Sequence, residues 1–228
     1  MAVAAQNVAR AVGWSCGCVL APVLLGAMFG PRWIAVGALI SLAATMWLIL
    51  WLPRSAHAAF QEGRYPRAGR RYALIASMSF TSARERMAVL SRSGCEVAAG
   101  RSARAEALLA GFEPGSLDTA ERVVWLNNRA CAALDGGRDA AAALALVDEA
   151  IALRPDVPAV QHTRARALLA VGRIDDAIAV LDSMRAGGEL APRLEADRCK
   201  ELAAAWETKG QAEYADDYRE RARLVATR

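Results

Sequence analysis

The chain has 228 residues, 55% of them hydrophobic and 23% charged, with a formal net charge of +4. The charge is segregated: residues 1–52 carry +2, residues 53–104 carry +7 and residues 105–228 carry −5, which argues against a nucleic-acid binder with a basic working face. Five cysteines lie scattered without a CxxC pair or a Cys/His cluster, a pattern that argues against zinc and for a reducing compartment.

Two apolar runs open the chain, at about 11–30 and 33–52, and neither holds a charged residue. About 20 apolar residues at 1.5 Å each cross the hydrocarbon core of a bilayer. Gly30-Pro31-Arg32 reads as the turn between two helices, and Pro53 as the end of the second. Residues 1–53 are therefore expected to form a transmembrane helical hairpin, and residues 54–228 a separate helical domain. Arg54, Arg64, Arg67, Arg70 and Arg71 follow the second run, against Arg32 alone in the turn. By the positive-inside rule both termini and the helical domain are then cytoplasmic. The Arg- and Ala-heavy composition suits a bacterial inner membrane. The same five arginines suit contact with anionic headgroups, or serve only as the topology signal. Gly13 with Gly17, and Gly26 with Gly30, are small-xxx-small pairs that allow close helix packing, within the hairpin or with another span.

Beyond Pro53 the pattern is helical throughout, and a unit recurs. AVGRIDDAIAVLDSM (170–184) follows DGGRDAAAALALVDEAIALRP (135–155), with Ala143 and Ala177 34 residues apart. GRYPRAGRRYALI (63–75), GRSARAEALLAGF (100–112) and KGQAEYADDYRERA (209–222) follow the same plan. Glycine ends one helix, and a small alanine five residues on lets the next helix pack closely: Ala68, Ala105, Ala177 and Ala215. The plan fails most around 86–112, where Ser93 and Glu96 stand at positions expected to be small and aromatic. Asp118 with Glu121 predicts a capped helix start.

These units resemble the tetratricopeptide repeat family, most clearly over 127–155 and 160–184. The resemblance implies an all-α fold, the N-terminal hairpin followed by an α-solenoid of four to five helix pairs. It also implies a groove lined by the first helix of each pair, in which a peptide segment or helix of a protein partner lies. Carried onto this sequence, that groove takes Asn127, Cys131 and Leu134 from one pair, His162, Arg166 and Leu169 from the next, and Lys200 and Glu207 from the last. Arg166 and Lys200 would meet an acidic side chain or a C-terminal carboxylate.

No catalytic constellation, phosphate-binding loop or metal-ligand cluster is legible, so no enzyme activity and no cofactor is expected. The acid pairs Asp175-Asp176 and Asp216-Asp217 read as solvated helix faces. Two functions remain. One is a membrane-anchored scaffold that recruits a protein through the groove. The other is a structural or assembly subunit of a larger membrane complex, contacting it through the hairpin. Membrane lipid is an expected partner in both, nucleic acid in neither, and homo-oligomerisation stays open.

Overall fold

A computed structural model describes residues 2–137 and 139–226, and every regular element among them is a helix or helical turn. The chain divides into two compact units, Met1–Ala99 and Gly100–Arg228.

The first unit opens with α1 (Ala2–Phe29) and α2 (Arg32–Met46). The chain reverses at Gly30, whose φ of +103° is one that L side chains rarely adopt. The two helices touch where glycine removes the obstacle. A Cβ on Gly37 would lie 2.6 Å from the Pro22 Cα, and one on Gly26 would collide with Ile34. Gly37 therefore joins Gly26 as a packing glycine. Gly13 and Gly17 have no atoms near the position a Cβ would take. Val12–Phe29 and Arg32–Gln61 are each long and apolar enough to cross a membrane.

Pro53 does not end the second helix. A five-residue π turn, Trp47–Trp51, leads from α2 straight into α3 (Leu52–Gln61), and Pro53 occupies the first turn of α3. The physical reason lies in the hydrogen bonds. Within the π turn the Leu52 N–H donates to the Trp47 carbonyl, and the next donor in register would be the N–H that proline lacks. Arg84 Nη2 donates instead to the Leu48 carbonyl at 2.9 Å. Arg54 Nη1 likewise reaches the Leu50 carbonyl at 3.0 Å. The Arg84 guanidinium thus repairs the ladder where proline interrupts it.

The expected boundary at Pro53 therefore falls inside a continuous helical rod. Leu48 and Leu52, both in the apolar run, are 1% and 2% exposed. They pack with Ala56 of α3, Ile75 of α4 (Tyr65–Ser77) and Ala88 of α5 (Ser82–Ala98), with Trp14 of α1 and Phe80 alongside. A second cluster joins Ala59, Ala68 and Cys95.

The second unit contains α6 (Ser102–Leu109), a 3-10 turn at Pro114–Ser116, α7 (Thr119–Asp135), α8 (Ala140–Leu153), α9 (Pro158–Ala170), α10 (Ile174–Ser183), α11 (Pro192–Thr208) and α12 (Ala212–Ala226). The expected cap of α7 is present as a reciprocal capping box between Asp118 and Glu121. From α7 onward the helices form antiparallel pairs, α7/α8, α9/α10 and α11/α12. The turn within a pair is specific. Gly172 sits at φ +80°, its N–H donates to the Leu169 carbonyl, and the Arg173 N–H to the Leu168 carbonyl at 2.9 Å. These two bonds close a Schellman motif, which satisfies the last carbonyls of the helix. Glycine at positive φ stands at the corresponding places 63, 100, 137 and 210.

The small alanines do what the sequence plan requires. Ala68, Ala105, Ala177 and Ala215 are all fully buried, as is Ala143. Ala143 lies six residues beyond its glycine because Asp139 adds a residue that caps α8, accepting from the N–H groups of Ala141 and Ala142. The later pairs share a core of Ala165, Ile178, Leu181, Met184, Leu202 and Ala205.

Candidate partner-binding cleft

The helices α7, α9 and α11 are the first members of three successive pairs, and α9 packs against both others. A cleft of about 560 Å³ runs across all three, lined by Leu134, Arg166, Leu169, Ala170, Gly172, Ile174, Glu201, Ala204 and Thr208. Three of the residues expected in a groove, Leu134, Arg166 and Leu169, are thus brought together at its wall. Asn127 and His162 lie two helical turns before Leu134 and Leu169, on the same faces. Cys131 lies between, half-buried, with its thiol 3.3 Å from the Thr163 hydroxyl.

Lys200 is placed differently. It stands 34 residues after Arg166, but the cleft takes the next residue, Glu201. Neighbours on a helix diverge by about 100°, so Lys200 projects outward, 64% exposed, with its Nζ 2.9 Å from Asp197. Glu207 lies outside the cleft lining as well and pairs with Arg219 of α12. Sequence spacing also missed Ala204 and Thr208. Their i, i+3 and i+7 relation to Glu201 was a legible signal once the register of α11 was known.

The electrostatics of the face are set by one cation. Arg166 Nη2 donates to Asp135 at 2.6 Å, and its Nε lies 3.5 Å from Glu201. One guanidinium therefore ties α7, α9 and α11 together. Burial alone would lower the Arg166 pKa, but the Asp135 hydrogen bond and the surrounding negative groups outweigh it and the shift is upward. Burial pushes the Glu201 carboxyl up, and Arg166 only partly opposes that. His162 is pushed down to about 4, first by burial and then by the charge of Arg166, so its ring is neutral near pH 7. Burial likewise raises the Cys131 thiol, which makes it an unreactive thiol rather than a nucleophile.

Two polar atoms on this face are buried without a partner, Asn127 Oδ1 and His162 Nε2. Among the described residues no cluster of three His, Cys, Asp or Glu suits a metal ion.

The arginines expected at the membrane surface divide into two sets. Arg54 and Arg71 are engaged. Arg71 donates to the Ser55 carbonyl and lies 5.7 Å from the Trp51 ring centroid. Arg64 pairs with Glu62, while Arg67 and Arg70 are exposed on α4.

A second cleft, of about 570 Å³, lies among α6, α7 and α8 with Leu109, Phe112, Trp125 and Arg129 in its wall. The sequence pointed to none of these.

Comparison with known proteins bears on the repeat. Residues 136–194 match the tetratricopeptide repeat family. The fold resembles a crystal structure of nearly identical TPR-like repeats from Podosopora anserina, in a protein assigned as a kinesin light chain. That match has a TM-score of 0.51 at 20% identity and covers 76% of this chain and 92% of that one. A second crystal structure of the same repeats matches with a TM-score of 0.50, also at 20% identity, covering 77% and 93%. MamA from AMB-1 is also similar, at 17% identity with coverage of 78% and 91%, but its TM-score of 0.43 adds nothing to the fold argument. No curated protein matches the chain in sequence.

Proposed function

We propose that this chain, which carries tetratricopeptide repeats, is a membrane-tethered scaffold that holds a protein partner in the cleft across α7, α9 and α11. The observation that carries the reading is the cleft itself, about 560 Å³, which three successive first helices wall with Leu134, Arg166, Leu169 and Glu201. The mechanism is binding without turnover.

Three features support the tether. Only 6% of Val12–Phe29 and 11% of the most apolar stretch of Arg32–Gln61 are buried, whereas a core helix of a soluble protein would be mostly covered. Trp14 donates to the Thr45 hydroxyl at 3.3 Å and packs on Phe80, so α1 is integrated with its neighbours in a way that a cleaved signal would not be. Aromatic residues mark both ends of the apolar stretch, Phe29 with Trp33 at the turn and Trp47 with Trp51 at the other end, as interfacial belts do. With Arg67 and Arg70 at the headgroup level, the helical units lie on the cytoplasmic side.

The test is photo-crosslinking of the full chain in cells from position 208, in the cleft, and from position 148, on α8. A protein captured from 208 and not from 148 supports the reading; equal capture from both sinks it. Topology is checked by thiol labelling of Arg32→Cys and Asp216→Cys in intact and opened cells. Labelling of the turn position only after opening would reverse the orientation.

One observation favours a second reading, a subunit of a larger membrane complex. Gly13 and Gly17 lie one turn apart on an exposed face of α1 with nothing against them, a surface on which another span can pack closely.

A further inference from the structure

We infer that the cleft takes a basic peptide segment, with a lysine or arginine reaching Glu201, rather than the acidic segment or carboxylate that its own cations first suggest. This inference rests on the partner-binding reading and deepens it.

The cations of the face are already engaged. Arg166 is held by Asp135 at 2.6 Å and by Glu201 at 3.5 Å. An incoming carboxylate would have to displace one of them. Lys200 belongs to a separate group outside the cleft lining, where Asp197 has Lys200 at 2.9 Å and Arg193 at 3.9 Å. Around Arg166 stand two carboxylates, Asp135 and Glu201, a surplus of one negative charge in that cluster.

That surplus is localised. Arg166 lies closer to Asp135 than to Glu201, so Glu201 receives the weaker share of the neutralisation. Of these two carboxylates only Glu201 lines the cleft. Its pKa is raised by burial, the behaviour of a carboxylate that lacks a full counter-charge. A ligand cation supplies one, and a charge-assisted bond in a partly desolvated cleft is stronger than one at the open surface. Leu134, Leu169 and Ile174 give the aliphatic stem of a lysine or arginine an apolar wall.

The test uses the full chain in lipid nanodiscs, panned with a phage-displayed library of random peptides. Enriched peptides are expected to carry a surplus of Lys and Arg. A synthetic copy of one, followed by fluorescence anisotropy, should lose about tenfold in affinity with Glu201→Gln and weaken with added salt. Asp148→Asn, an equal loss of charge on α8, should leave binding unchanged. Thr208→Trp, at an exposed lining position, should block the cleft while circular dichroism stays unaltered.

Acidic peptides that bind Glu201→Gln as well as the parent, yet are blocked by Thr208→Trp, would overturn the basic-ligand inference and leave the cleft reading standing. Peptides unaffected by both substitutions, or no enrichment at all, would overturn both.

Discussion

The two units use polar side chains in opposite ways. In Met1–Ala99 several of them serve the backbone: Arg84 holds the Leu48 carbonyl, Arg71 the Ser55 carbonyl, Ser79 the Ile75 carbonyl and Ser93 the Leu90 carbonyl. In Gly100–Arg228 many of them pair with one another between helices: Arg166 with Asp135 and Glu201, Arg164 with Asp148, Arg122 with Glu149, Lys209 with Asp175. The cores differ in source as well. The second unit packs repeat against repeat around small alanines, whereas the first borrows two of its fully buried leucines, Leu48 and Leu52, from the apolar run. A repeat-like unit that leans on an apolar helix needs its ladder kept intact, whereas one that stacks repeat on repeat ties its helices to one another with charged pairs.

The sharpest way to break this contrast is truncation. Removing residues 1–53 deletes Leu48 and Leu52, both almost wholly buried, at a cost of about 3–6 kcal/mol for the two side chains. Hydrogen exchange should then show α4 and α5 unprotected while α7 to α12 keep their protection. Unchanged protection in α4 and α5 would mean that the first unit does not depend on the apolar run.

Next in size is Arg198→Ala in the second unit. Arg198 is 2% exposed and makes bonds of 2.7 and 2.8 Å to Glu195 and one of 3.1 Å to the Leu181 carbonyl. Losing one partner of such a buried pair costs about 3–5 kcal/mol, which chemical denaturation would register. The Arg198 hydrogen bond lowers the Glu195 pKa. The contribution of the pair is therefore present above the unfolded pKa of Glu195 and fades as pH falls through its folded value. The variant should lose that acid-dependent component.

Much of this architecture was legible in the sequence, and the exceptions have local causes. Glycine turns, buried alanines and the Asp118 cap were readable because each depends on one residue type at a fixed offset. The continuous helix through Pro53 was not, because the compensating donor, Arg84, lies 36 residues beyond the Leu48 carbonyl that it serves. The register of α11 slipped by one residue. A strict 34-residue period selects Lys200, and the loop before Pro192 shifts the face to Glu201. The pairing of Arg166 with Asp135 could not be read either, since the two sit at opposite ends of a long interval in separate repeats.

A smaller effect separates the units by pH. His162 titrates at about 4 in the fold against 6.5 for an ordinary imidazole. Its lowered value means that the unfolded chain binds the proton first as pH falls. Stability of the second unit should thus drop between pH 6.5 and about 4, by an amount on the order of 3 kcal/mol at the acid end. His162→Gln should flatten the curve over that window. A first unit that loses protection over the same window would contradict the division of labour drawn above.

The last test addresses the repaired ladder directly. Arg84→Ala leaves the Leu48 carbonyl without its donor, at a cost of about 1.5–3 kcal/mol for a bond from a charged group. Pro53→Ala restores an N–H at the very position where the ladder lacks one, so the carbonyl regains a backbone partner and the π turn can tighten toward α-helix. In the Pro53→Ala background the arginine should therefore matter less, and a double-mutant cycle should show a coupling of about 1 kcal/mol between Pro53 and Arg84. Thermal unfolding of the four variants in detergent reads it out. If the costs simply add, Arg84 is an ordinary surface contact, and the tie between the apolar helix and α5 rests on Leu48 and Leu52 alone.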